Sequence, residues 1–108
     1  MVTGLGQIGL EFTDPQIMVG AAASRASDIW SLGACLHYAM TGAGVYGDLK
    51  STEPLMLVRT ILASTPTVNP ALPPDAGELI AACLNPELSA RPRTAAEVAD
   101  RIGSLVTV

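Results

Sequence analysis

Residues 4–9 have the sequence Gly-Leu-Gly-Gln-Ile-Gly, a glycine spacing that in nucleotide sites lets backbone N–H groups approach phosphate. In such sites the motif follows a strand and opens a helix. Here only three residues precede it, and Pro15 interrupts the unpatterned stretch that follows. We interpret the match as a coincidence, and the sequence predicts no cofactor-binding residue in this chain.

The remaining reactive side chains do not form a pattern of catalysis or metal binding. His37 is the only histidine, which excludes a multi-histidine metal site, and the carboxylates are scattered. There is also no Gly-x-Ser-x-Gly nucleophile elbow. We predict no catalytic residue and no metal ligand, and expect His37 to be hydrogen-bonded on a buried helix.

The two cysteines and one pair of charged residues have structural interpretations. Cys35 and Cys83 are far apart in apolar segments, so we expect both to be small buried side chains in a reducing, cytoplasmic setting. Asp28 opens an apolar helix and Arg91 lies between Ala90 and Pro92. Either both are held by fixed partners, or Asp28 is a solvated cap and Arg91 a surface residue.

Four helices that must position these residues are predicted from apolar spacing and from start and stop signals. The first begins at Ser27 or Asp28 and ends at Gly42. The second starts at Thr52-Glu53-Pro54 with Thr52 as its capping hydroxyl, the third at Pro74, and the fourth at a capping box of Thr94 and Glu97. No strand is predicted. The fold class is therefore mainly α, with an irregular or extended lead-in over 1–26 and a helical subdomain over 27–108.

Composition limits the functional classes. Of 108 residues, 49% are apolar and 15% charged, with a net charge of −4. Mean hydropathy is +0.40. No run approaches the ~18 apolar residues of a membrane span, and the N-terminus has no signal-peptide pattern. The basic residues are spread singly, which argues against nucleic-acid binding. The apolar excess must be buried here or in a partner.

Three motifs, in order, resemble the large lobe of bacterial-type Ser/Thr protein kinases. Residues 28–33, Asp-Ile-Trp-Ser-Leu-Gly, with Thr41-Gly42, resemble the segment that opens the central helix of that lobe. Residues 84–86 with Arg91-Pro92 resemble its later arginine-proline segment. Residues 12–16 fall where kinases have Tyr-x-Ala-Pro-Glu. The resemblance covers about 7–105 and marks Pro15, Gln16, Asp28, Trp30, Gly33 and Arg91 as structural motif residues.

The resemblance also implies what is missing and what has changed. The glycine-rich loop, the His-Arg-Asp loop and the Asp-Phe-Gly site are absent, so this chain alone is expected to be inactive; ATP and Mg²⁺ belong to the complete domain. Gln16 replaces a glutamate that in the family pairs with the arginine matched by Arg91, and Gly9 replaces a threonine. We expect Asp14 or Gln16 to hold Arg91, and Asp28 to match a residue that bonds the catalytic loop.

Three interpretations follow from these motifs. The chain is a truncated or degenerate kinase lobe, a non-catalytic interaction module of the same origin, or an unrelated helical bundle. In the second, the helix after Thr52 is the contact surface, with Leu55, Leu57 and Val58 as the candidate docking residues. The high apolar content predicts that the chain alone self-associates or needs a protein partner.

Overall fold

A computed structural model describes residues 10–47, 49 and 53–106, and within them the fold is helical with no strand. The mainly α prediction is confirmed. The elements are α1 (Pro15–Met18), α2 (Arg25–Thr41), α3 (Pro54–Ala63), α4 (Pro74–Cys83), a short 3₁₀ turn (Leu88–Ala90) and α5 (Ala95–Val106). The glycine motif at 4–9 and Thr52 lie outside the described residues.

The lead-in contains a helix that the sequence interpretation missed. Asp14 caps α1 by accepting a hydrogen bond from the Gln16 backbone N–H, and Pro15 occupies its first turn. An oxygen-bearing cap followed by proline is a helix-start signal, because the proline lacks the N–H that a first turn leaves unpaired. The expectation of an irregular or extended 1–26 is therefore wrong for residues 15–18.

The long helix α2 begins earlier than predicted. Ser24, not Ser27 or Asp28, is the N-cap, and Ser24 and Ser27 exchange side-chain-to-backbone hydrogen bonds in a capping box. The predicted division at 26/27 consequently falls in the first turn of α2. Its end is as predicted, because Gly42 has a φ of 76°, the left-handed conformation that glycine adopts without a Cβ clash.

The core forms where α2 crosses α4. A Cβ built on Gly33 would lie 2.5 Å from Cβ of Cys83, so the two helices approach at a distance that only glycine allows. On one side of this contact Trp30, Ala34 and Ile80 pack with Val45 and Leu84. On the other side α5 closes the core through Val98, packed with Ile29, Leu79 and Cys83.

The C-terminal end and one face of α2 are exposed to solvent. Asp28, Cys35, Tyr38 and Met40 are exposed, although Trp30 and Ala34 are buried. The expectation that Cys35 is buried is wrong, because it lies on the face that neither α4 nor the loop after Gly42 covers; Cys83 is buried as expected. His37 is buried and hydrogen-bonded, as expected.

Helix α3 packs against α1, and its start is capped by Glu53, whose side chain accepts from the Met56 N–H. The predicted helix is therefore confirmed over Pro54–Ala63, with an acid rather than the Thr52 hydroxyl as the observed cap. None of the described helices is both long enough and apolar enough to cross a lipid bilayer.

Candidate functional site

Arg91, which leads into α5 and is 5% exposed, connects three segments of the described chain. Its Nη1 donates to Oδ2 of Asp14 at 2.7 Å and to the Ala26 carbonyl at 2.8 Å. Its Nε donates to the Asn85 carbonyl at 2.7 Å. One guanidinium therefore joins the turn before α1, the first turn of α2 and the end of α4.

The structure decides between the two acceptors expected for Arg91. Asp14, 1% exposed, forms the ion pair, while the Gln16 side chain turns away and donates to the Pro86 carbonyl at 2.7 Å. Asp14 also accepts from the Gln16 backbone N–H at 3.0 Å. A buried carboxylate needs such partners, because an unpaired charge in an apolar interior is costly. Arg91 is a buried, partnered residue, so the surface alternative is wrong for it.

An apolar cavity of about 310 Å³ lies beside the ion pair. Its apolar walls include Pro15, Trp30 and Leu84. The ring of Tyr46 stacks on Trp30 with centroids 6.3 Å apart. The Tyr46 hydroxyl is buried and has no hydrogen-bond partner among the described residues. Burial, with the negative charge of Asp14, raises the pKa of Tyr46 to about 12.

This arrangement is suited to holding segments together rather than to chemistry. The charges of Asp14 and Arg91 neutralise each other, and their hydrogen bonds go to the protein itself. A nucleophile or general base needs a free, positioned group, which the pair does not offer. Within residues 10–47, 49 and 53–106, no three His, Cys, Asp or Glu side chains come together as a metal site would require.

The predicted motif residues have different environments. Trp30 and Gly33 are buried in the α2–α4 core, and Pro15 is half-buried at the start of α1. Asp28 is exposed at the first turn of α2, which is the solvated alternative for this residue. The structure therefore brings Arg91 together with Asp14 and places Asp28 apart from them.

The three candidate docking residues of α3 do not share a face. Leu55 is 66% exposed, Val58 is half-buried, and Leu57 is 3% exposed. Leu57 therefore belongs to the interior and cannot contact a partner, which corrects its assignment to a docking surface. The large apolar side chains that the helix exposes are Leu55, Met56 and Leu62.

Two features of the site were missed from sequence. The Tyr46 hydroxyl, which has no partner within the described part of the chain, has no local sequence signal, because its burial depends on how distant segments pack around it. The hydrogen bond from the Asn69 N–H to His37 spans 32 positions, so it also has no local sequence signal. By contrast, the Asp14-Pro15 dipeptide carries a recognisable helix-start signal that identifies Asp14 as a cap.

Comparison with known proteins gives one group of relatives. The chain is 33% identical over 94 residues to the serine/threonine-protein kinase PknK of Mycobacterium tuberculosis and 32% identical over 94 residues to PknK of Mycobacterium bovis. Each match covers 84% of this chain, and the chain spans only 8% of the length of these relatives. No family model matches. The chain is thus similar to a short region of a serine/threonine-protein kinase.

Proposed function

We propose that this chain is a C-terminal segment of a Ser/Thr protein kinase large lobe that has a structural role and does not transfer phosphate alone. The observation that carries the proposal is the buried ion pair of Asp14 and Arg91. It joins the two segments that resemble the Ala-Pro-Glu and arginine-proline motifs of kinases. In those kinases a glutamate two positions later forms the pair.

Further support comes from the order of the helices and from the relatives. The helix that carries the Asp-x-Trp-Ser-Leu-Gly sequence packs at Gly33 against α4, and α4 packs against α5. The similarity to PknK extends over 84% of the chain, so it includes more than one motif. The acid that pairs with this arginine in kinases corresponds in position to Gln16. In this chain Asp14, two positions earlier, pairs with Arg91, so the same two segments stay connected.

The absence of catalysis in this proposal follows from what phosphoryl transfer requires. The reaction depends on groups that position ATP, bind Mg²⁺ and orient the accepting hydroxyl. The 108 residues contain neither His-Arg-Asp nor Asp-Phe-Gly. The free thiols of Cys35 and Cys83 fit a cytoplasmic location for the segment, which is part of the proposal.

A chimera tests the kinase assignment. The matched region of PknK is replaced by the 84% of this chain that aligns with it, and phosphate transfer from ATP is measured. We expect the folded chimera to transfer phosphate and the same chimera with Asp14→Ala to lose most of that activity. A chimera that has the helical content and thermal stability of PknK but no activity would contradict the assignment.

A thermal-shift measurement tests the inactivity of the chain alone. The melting temperature of the 108-residue chain is measured with and without ATP and Mg²⁺, since a ligand that binds only the folded state raises it. We expect no change. A nucleotide-dependent rise, or phosphate transfer by the chain alone, would show that this segment carries a nucleotide site.

A second candidate function, a non-catalytic interaction module, is favoured by the exposed face of α3. Leu55, Met56 and Leu62 are 66%, 45% and 44% exposed, which leaves apolar surface in contact with water. We propose that a second copy of this chain covers this face, so that the isolated chain self-associates. Adjacent apolar side chains of this kind mark protein contacts more often than isolated ones do.

Light scattering at tens of micromolar protein tests this candidate. We expect the unmodified chain to form dimers or larger species, and Leu55→Ser with Leu62→Ser to be monomeric with an unchanged helical content by circular dichroism. Leu57→Ala is the matched control on the same helix, because it should lower the melting temperature without selectively removing association. A monomeric unmodified chain would contradict the candidate.

A further inference from the structure

His37 connects two segments that are distant in sequence. Its Nδ1 lies 2.8 Å from the Ala43 carbonyl oxygen, and its Nε2 accepts a hydrogen bond from the Asn69 backbone N–H at 3.0 Å. The side chain is only 2% exposed. One imidazole therefore ties the end of α2 to the loop that follows it and to the connector between α3 and α4, residues 64–73.

The two contacts allow one protonation state of the imidazole. A carbonyl oxygen can only accept, so Nδ1 carries the proton toward Ala43; a backbone N–H can only donate, so Nε2 is bare toward Asn69. The Thr41 hydroxyl lies 2.7 Å from the His37 carbonyl oxygen and 3.1 Å from that of Ala43. It is compatible with this arrangement, because the two lone pairs of the Ala43 carbonyl can accept from Nδ1 and from a hydroxyl at once. The neutral Nδ1–H tautomer satisfies both partners.

Among the described residues, Glu11 is an acid close to the loop after α2, and it makes no ion pair with His37. A cavity of about 520 Å³ beside His37 is lined by the loop after α2 and by the connector, and its other titratable side chain is Tyr46. With a pKa of about 12, Tyr46 is neutral near pH 7. On the turn before α1, Glu11 lies against Gly44 on this loop. His37 makes no ion pair with any described residue.

We propose that His37 is a pH-sensitive clasp on the connector. Protonation adds a hydrogen to Nε2, so two N–H donors face each other across the 3.0 Å between Nε2 and the Asn69 nitrogen. The bond from Nδ1 to Ala43 survives, and the bond to Asn69 breaks. Imidazoles in general change charge between about pH 5 and 8, which sets the pH range in which the proposal is tested.

Release at Asn69 has a defined consequence for the fold. The connector has a second attachment nearby, the Thr67 N–H donated to the Val45 carbonyl at 2.8 Å. Because Thr67 lies between α3 and Asn69 and keeps this bond, losing the Asn69 bond loosens the part of the connector between Thr67 and α4. The clasp is independent of the proposed kinase origin, since it depends only on contacts within this chain.

Amide hydrogen exchange of the ¹⁵N-labelled full chain tests the clasp. The protection factor of the Asn69 amide is compared at about pH 7.5 and about pH 5, after correction for the intrinsic exchange rate. We expect it to fall about tenfold at the lower pH, the size of effect that one lost buried hydrogen bond gives. The reference is the Leu84 amide, bonded to the Ile80 carbonyl at 3.0 Å, whose protection should not change.

Two outcomes of this measurement overturn the proposal. Constant protection at Asn69 would mean that His37 does not release the connector, and an equal fall at Asn69 and Leu84 would mean general acid unfolding. In the His37→Gln variant the amide replaces the imidazole and cannot titrate, so the selective fall at Asn69 should disappear. If it persists, another group is responsible.

A second measurement applies even if the variant does not fold. Long-range ¹H–¹⁵N spectra of the unmodified chain identify which imidazole nitrogen carries the proton. We expect the Nδ1–H tautomer near pH 7.5 and protonation of Nε2 to accompany the loss of Asn69 protection. An Nε2–H tautomer at the higher pH would contradict the clasp, because Asn69 would then have no acceptor.

Discussion

Replacing Asp14 with alanine should be among the most damaging single substitutions in this chain. Arg91 would keep the Asn85 and Ala26 carbonyls as acceptors but, at 5% exposure, would lose the one anion that pairs with it among the described residues. Removing one partner of a buried ion pair costs about 3–5 kcal/mol, because the other charge stays buried and uncompensated. Since domains of this size are stable by about 5–15 kcal/mol, the variant should be close to unfolding.

The free energy of unfolding is measured by urea denaturation followed by far-ultraviolet circular dichroism. Asp14→Asn separates the two roles of this residue, because an amide oxygen can still accept from the Gln16 N–H at the start of α1 but carries no charge. We expect Asp14→Asn to show most of the decrease in the free energy of unfolding that Asp14→Ala shows. Gln16→Ala is the matched control: it removes an exposed bond to Pro86 and should cost only about 0.5–1.5 kcal/mol.

A double variant distinguishes the cost of an unpaired charge from loss of packing. Asp14→Leu with Arg91→Met removes both charges, and such replacements are often tolerated far better than removal of one partner. We expect the double variant to be more stable than Asp14→Ala. An Asp14→Ala variant as stable as the unmodified chain would refute the reasoning, as would a double variant no more stable than Asp14→Ala.

Three other predictions concern packing, pH and thiol reactivity. Gly33→Ala should lower the free energy of unfolding by about 1–3 kcal/mol, because the new Cβ would lie 2.5 Å from Cβ of Cys83. Gly77→Ala, whose new Cβ would have its nearest neighbour at 3.8 Å, should be neutral or stabilising. Equal effects of the two substitutions in urea denaturation would contradict this prediction. The pKa of Tyr46 is raised from 10.0 to about 12, so the folded state favours the protonated phenol. The free energy of unfolding should therefore fall as the pH rises from about 10 through 12, and Tyr46→Phe should remove that part of the fall. Ellman's reagent should modify exposed Cys35 quickly and Cys83 only on unfolding, since burial also raises the pKa of the Cys83 thiol; equal rates for both thiols would contradict the structure.

Much of the helical framework was predictable because its signals are local. Gly42 ends α2, and Pro74 opens α4 at its first residue, as the sequence indicates. Errors of a few residues arose where two candidates compete for a role. Ser24 and Ser27 can each cap a helix, and the choice depends on where the preceding chain turns, which neighbouring residue types do not specify.

Which side chains of a helix face the core, and which residues pair across the fold, were much less predictable. The spacing of α3 shows that it has an apolar side but not which leucine points inward, and only contact with the rest of the fold places Leu57 inside and Leu55 outside. Likewise, Cys35 and Cys83 both lie in apolar segments, yet packing buries only the second. An apolar segment indicates that some of its side chains are buried, but the packing of neighbouring elements determines which ones.

The sequence by itself determined that this chain is helical, and the resemblance to kinases gave Asp14 or Gln16 as the expected acceptor of Arg91. Only the tertiary structure decided that Asp14 is that acceptor, across 77 positions of sequence, and that His37 holds Asn69. The physical reason is that caps and helix periods depend on residues within a few positions of one another. A buried ion pair depends on the relative placement of whole helices, and here that placement depends on the close approach of α2 and α4 at Gly33.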